Sequence, residues 1–183
     1  MNCHTFNKKG VPDSGTPEIT GISGFTLIEV IIVIAIMGIV MSIGTLNFRS
    51  WQVKNRVEGQ TREILADLNE ARTNAYTQKK QYGIVFQPNS YVIKSYSSSS
   101  AAASPLTSGT TVTTKNLKYG LTKKGASIVD TPVVFDTSGI TFNWFTIFVN
   151  QGSTDPSPAV NCIVISTTRV NIGKINGTAC EFK

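Results

Sequence analysis

Residues 24–48 read GFTLIEVIIVIAIMGIVMSIGTLNF, and this stretch decides the architecture. The nineteen residues from Val30 to Phe48 carry no charge. As a helix they reach ~28 Å, close to the thickness of a bilayer core. Six isoleucines and several valines make the segment apolar on every side, which suits lipid rather than one face of a core. Its polar residues, Ser42, Thr45 and Asn47, stand near its end. The segment reads as a membrane span; a buried core helix is the weaker reading, because soluble chains seldom carry so long a charge-free run. A lone carboxylate, Glu29, lies just ahead of it. A charge at the bilayer centre costs roughly 2.5–3.5 kcal/mol, and such residues are usually functional. Near the segment's end, snorkelling lowers that cost.

The rest of the chain is ordinary in amount and uneven in distribution. There are 183 residues, 40 % hydrophobic and 15 % charged, with a net charge of +6. The charged fraction falls below the ~25 % of typical soluble domains, consistent with apolar content that is not all core. From Arg49 to Gln81 the sequence is rich in helix formers and free of proline. Leu46, Val53, Val57, Ile64, Leu68, Ala71 and Ala75 fall at spacings of three, four or their sums, which makes one apolar stripe. Arg56, Glu63, Asp67 and Glu70 read as the solvated face. Without a proline between the two stretches, the spacing predicts one helix from about Phe25 to about Lys80. Lys79 and Lys80 suit the negative end of its dipole, and Gly83 follows.

Beyond the helix the pattern is strand and turn. YGIVF (82–86) and YVIKSY (91–96) flank QPNS as a hairpin. The Ser/Thr/Ala/Gly-rich stretch 97–114 reads as a long flexible loop. VVF (133–135) and ITFNWFTIFVN (140–150) flank a turn at Asp136–Gly139 as a second hairpin. Residues 152–158 read as a Pro/Ser loop, and VNCIVIS (160–166) with VNIGKI (170–175) as a last strand pair. One long helix with six or seven antiparallel strands is an α+β arrangement, the sheet covering the helix stripe.

Catalytic signatures are scarce. His4 is the only histidine, so removal of the N-terminus would leave none for triads, general bases or zinc. Cys3, Cys162 and Cys180 form no C-x-x-C pair. Nucleophile-elbow, P-loop and dinucleotide motifs are missing. Asp67 and Glu70 share a helix face, but Arg62, Glu63 and Arg72 make an ion-pair surface the simpler reading. The expectation is a protein that is not an enzyme and holds no cofactor or metal.

Gly24-Phe25-Thr26-Leu27-Ile28-Glu29 resembles the N-terminal signature of type IV pilins and type II secretion pseudopilins. The resemblance implies that a prepilin peptidase cuts after Gly24 and that the new N-terminus, Phe25, is methylated. Glu29 becomes the fifth mature residue. Glycine lets a protease approach the backbone closely. The new amine can pair with Glu29 of a neighbouring subunit, neutralising a charge that lipid would otherwise penalise. Glu29 is then an assembly register. The implied organisation is a leader at 1–24, a transmembrane and assembly half-helix at 25–48, an amphipathic half-helix at 49–81 and a β-rich periplasmic head at 82–183, in a pilin-like fold. The implied location is the bacterial inner membrane, single-pass, with extraction into a filament. The implied partners are prepilin peptidase, other pilins or pseudopilins, inner-membrane lipid and secreted proteins.

Two observations compete with that reading. Ser42-Ile43-Gly44 passes as a signal-peptidase site, which would release a secreted domain starting at Thr45. Arg49, Lys54, Arg56 and Arg62 follow the apolar segment while only Lys8 and Lys9 precede it, so the positive-inside rule places the C-terminal part in the cytoplasm. The resemblance places it in the periplasm. Cysteine usage agrees with the resemblance: Cys3 leaves with the leader, and Cys162 and Cys180 remain as a pair suited to a disulfide in an oxidising compartment. Such a bridge contributes ~3 kcal/mol by analogy with a 15-residue loop. Two buried free thiols are the alternative.

The segment Ile64–Ala75 resembles the L-x-x-A-R-x-x-A helix of the GspH/FimT branch through Leu68, Ala71, Arg72 and Ala75. VVFDTSGITF (133–142) and CIVISTTRVNIG (162–173) resemble its F-x-x-x-G hairpin and last strand pair. Members of that branch serve as minor pseudopilins in secretion or as minor pilins, some of which bind DNA through a glycine-arginine-x-arginine pattern. Here Thr168 replaces the glycine and Asn171 the second arginine, leaving Arg169, with Lys174 as a partial substitute. The leader's Lys8, Lys9, Asp13 and Glu18 cancel, so the mature chain keeps its +6. A basic balance permits phosphate contacts without showing them. DNA is therefore the lesser expectation.

Overall fold

The computed structural model describes residues 24–97, 105–124, 126–150 and 158–182, leaving aside the side chains of 43–47. The expected leader and most of the expected 152–158 loop lie outside the described residues. The chain divides into two compact units, Met1–Ser42 and Ile43–Lys183.

One helix, α1, runs from Leu27 to Gln78, 52 residues. Its start is set by Thr26, whose Oγ1 and carbonyl O both accept from the Glu29 amide, at 3.3 and 3.1 Å. Thr26-x-x-Glu29 has the spacing of a capping box. Its end differs from expectation. The helix stops at Gln78, and Lys79 takes a left-handed φ of 53°. The turn that glycine commonly makes is made by lysine here, and Gly83 lies inside the first strand instead.

In the first unit the apolar side chains of α1 from Leu27 to Met41 are exposed, between 44 % and 78 %. Among the described residues no helix is long and apolar enough to cross a membrane. Leu27–Ser42 reaches ~24 Å as a helix against a core of ~30 Å. The remainder of the expected span, 43–47, lies outside the described side chains.

Among the described residues the second unit holds nine strands: β1 Gln81–Gln87, β2 Ser90–Tyr96, β3 Thr110–Asn116, β4 Leu121–Lys123, β5 Thr131–Phe135, β6 Phe145–Val149, β7 Cys162–Ile165, β8 Val170–Asn176 and β9 Ala179–Phe182. They form two antiparallel sheets, ordered β3-β2-β1-β5 and β4-β6-β7-β8-β9. The β1–β2 and β7–β8 hairpins match the sequence expectation. Three features do not. Residues 110–114, expected as loop, belong to β3, which pairs with β2. Threonine's branched side chain fits a pleated edge, and its polarity hid it among loop residues. The short β4 and the terminal β9 carried no readable alternation. The Asp136 turn forms, with Ile140 N donating to Asp136 Oδ1 at 2.8 Å, but it does not close a hairpin. β5 pairs with β1 and β6 joins the other sheet, leaving a single bridge, Phe135 to Thr141.

The helix stripe and both sheets share one core. Val57, Ile64, Leu68, Ala71 and Ala75 are buried with Ile84, Phe86, Tyr91, Val133 and Phe135 of one sheet and Leu121, Ile147, Val149, Ile163 and Ile165 of the other. The apolar stripe thus finds the sheet faces that its amphipathicity requires. Polar clamps close the packing. Gln60 donates through Nε2 to the Tyr119 carbonyl at 2.7 Å and accepts from the Tyr119 amide at 3.0 Å.

Candidate processing and assembly site

Gly24 opens the described chain, with no heavy atom within 4 Å of where a Cβ would stand. Phe25 is 80 % exposed. An open backbone at glycine is what a peptidase needs to reach the 24–25 bond. Glu29 is exposed in the first turn of α1. A carboxylate there complements the helix dipole as well as serving as a candidate partner for an amine. The resemblance to pilins implies an intersubunit role for Glu29. The Thr26-x-x-Glu29 spacing was the available signal for its place at the helix start.

These positions lie together with an uninterrupted apolar helix immediately after them. Residues 20–45 match the prokaryotic N-terminal methylation motif. It is the type IV pilin-like prepilin signal, and it implies processing by prepilin peptidase and assembly with other pilins. Comparison with curated proteins gives no match, and comparison with solved structures gives none. The motif therefore speaks for the N-terminal segment, while the head must be read from its own geometry.

In the head, Cys162 and Cys180 are joined in a disulfide with their Cα atoms 6.0 Å apart. The bridge links β7 to β9 across β8, which lies between them. Gly173 of β8 sits beneath it. A Cβ there would stand 2.1 Å from the Glu181 carbonyl oxygen and 3.0 Å from Cys180 Sγ, so no side chain fits. The close approach of the Glu181 backbone and the Cys180 sulfur, rather than any unusual φ, requires this glycine.

Arg169 is exposed in the β7–β8 turn, where its carbonyl accepts from Ser166 N at 2.8 Å. Lys174 lies on β8 opposite Glu181. The step of five positions from Arg169 to Lys174 corresponds to ~16 Å of extended chain, and Lys174 faces a carboxylate-bearing neighbour. The structure does not gather the two cations into one patch.

Asp67, expected on the solvated face, is buried at 6 % exposure. It accepts a short hydrogen bond from Tyr91 Oη and an ion pair from Lys115 Nζ at 2.8 Å; Glu63 also pairs with Lys115, at 3.0 Å. Gln60, Ile64, Asp67 and Ala71 form one helical row at spacings of four, three and four, so Asp67 borders the stripe rather than opposing it. Burial, aided by the bond to Asp67, pushes the Tyr91 phenol well above its ordinary range. The hydrogen bonds to Asp67 and Glu63 raise Lys115. Burial alone pushes Tyr96 up to about 12. This network ties the edge strand β3 to α1. No group of three or more His, Cys, Asp or Glu able to hold a metal occurs among the described residues.

Proposed function

We propose that the chain is a minor pilin or pseudopilin: cleaved after Gly24, methylated on Phe25, held in the inner membrane by residues 25–48 and assembled into a filament with the head in the periplasm. The observation that carries this reading is the methylation motif at residues 20–45, in register with the Thr26 cap, the exposed Glu29 and the apolar helix. The head serves as a structural and protein-binding module, not as a catalyst. A GspH/FimT relationship is supported by the meeting of its two internal segments. Gly139, at φ 74°, lies against Arg72, with 3.4 Å from its Cβ position to Arg72 Cγ. A disulfide between β7 and β9 suits a periplasmic location.

The competing readings are weaker on the geometry. Signal-peptidase release after Gly44 would cut inside α1, which runs without a break from Leu27 to Gln78. A DNA-binding role rests on Arg169 and Lys174, which do not converge. The deciding experiment is the intact mass of protein extracted from membranes. The expected product begins at Phe25 and carries one methyl group. A terminus at Thr45 or an uncleaved Met1 overturns the proposal.

A further inference from the structure

Three cations, Arg49, Lys54 and Arg56, follow the charge-free run that ends at Phe48, and no acidic residue occurs from Val30 to Val57. They are the residues that set this chain against the positive-inside rule. Two aromatic side chains stand among them. Phe48 and Trp51 stack, with ring centroids 5.9 Å apart and planes at 25°. They are 56 % and 57 % exposed. A spacing of three puts both rings on one face of α1. Val53, packed against the head's core, and Val57, fully buried, lie on the opposite face at 3.6 residues per turn. The stacked rings therefore point away from the core that covers the stripe. Arg49 and Arg56, seven positions apart, share a face beside the rings, and both are exposed.

We propose that Phe48, Trp51, Arg49 and Arg56 anchor the chain at the lipid–water interface, where the two guanidinium groups take the phosphates of anionic phospholipids. The inference rests on the reading that residues 25–48 are held in the inner membrane, and it names what their outer boundary binds. An indole has an apolar body and one N–H donor, which suits headgroup level. The headgroup layer adds ~5–8 Å beyond the hydrocarbon on each side. Arg49 and Trp51 stand ~1.5 and ~4.5 Å past Phe48 along the helix, inside that layer. Arg56 stands ~12 Å past it and reaches back along its apolar stem. Charge decides the occupant. The same segment of a second copy would bring the same cations and no carboxylate, whereas an anionic headgroup brings the complementary charge and a geometry that guanidinium donors match. The cations beyond the apolar run then serve as headgroup contacts on the periplasmic side.

The test uses the full-length chain carrying Trp144→Phe, which leaves Trp51 as its single tryptophan. It is reconstituted in phosphatidylcholine vesicles with and without phosphatidylglycerol. Retention after carbonate washing reports on the membrane span, and Trp51 fluorescence reports on the anchor. Trp51 should be quenched more by lipids brominated near the headgroup than by lipids brominated at the chain ends. Its emission should shift further to the blue when phosphatidylglycerol is present. Arg49→Gln with Arg56→Gln should remain in the vesicles and lose that lipid-dependent shift. Release of the parent by carbonate overturns the membrane reading and the anchor with it. A retained chain overturns the anchor alone in any of three cases: Trp51 is quenched best at the chain ends; Trp51 is shielded from both brominated lipid and aqueous acrylamide, as beneath a second helix; or the double variant keeps the full phosphatidylglycerol shift.

Discussion

Two carboxylates on α1 show how position determines what a charge does. Glu29 is exposed on a segment whose apolar side chains are also exposed, a position open to the proposed pairing with a neighbouring subunit. Glu29→Ala should leave membrane insertion intact, since it removes a charge from an apolar stretch. It should reduce co-purification with partner pilins or pseudopilins in detergent pull-downs; wild-type recovery would remove its assembly role. Asp67 is the opposite case, buried and satisfied by Tyr91 and Lys115. Both of those partners have raised folded-state pKa values. Above about pH 10 the unfolded chain releases protons that the folded chain retains, so stability falls as pH rises. The stabilisation is complete below that pH. Denaturant midpoints should be level between about pH 7 and 9 and decline beyond about pH 10. Tyr91→Phe should make the decline shallower by up to ~1.4 kcal/mol per pH unit. Tyr96, raised to about 12, preserves a residual slope. An unchanged alkaline limb would show that the network does not retain its protons.

At the scale of elements, the last three strands depend on one glycine and one bridge. β7, β8 and β9 lie side by side, and the Cys162–Cys180 bond fastens the outer two. Replacing both cysteines by serine should cost about 3 kcal/mol in denaturant unfolding. Gly173→Ala should cost about 2–4 kcal/mol, since Glu181 backbone occupies the space of the added methyl. Displacing β9 also separates Cys180 from Cys162. Alkylation of native protein should therefore label Cys162 and Cys180 in Gly173→Ala and neither of them in the parent. Fully bridged, parent-like Gly173→Ala would mean that β9 shifts at little cost. The edge strand β3 is held differently, by its pairing with β2 and by Lys115 reaching Glu63 and Asp67 of the helix.

At the scale of the molecule, the core cluster joins α1 from Val57 onward to both sheets. A fragment starting near Arg49 retains that stripe and should unfold cooperatively, with dispersed NMR signals. Titrated with duplex DNA at physiological salt, it should show no saturable binding below ~10 μM, since non-specific affinities lie in the ~1–100 μM range. Tight binding that weakens steeply with salt and is lost in Arg169→Ala would instead make Arg169 a phosphate contact. The sequence alone determined the long helix, its apolar stripe, the β1–β2 and β7–β8 hairpins and the Gly24–Glu29 motif. These are local: a 3.6-residue period, a two-residue turn and a run of adjacent residues are all written along the chain. Tertiary structure alone decided the rest. Asp67 turns inward because Lys115 and Tyr91 are there to receive it. Thr110–Asn116 becomes a strand because β2 offers an edge. The two sides of the Asp136 turn separate because β1 and β7 are the partners available to each. Each depends on groups far apart in sequence, whose pairing no local pattern records.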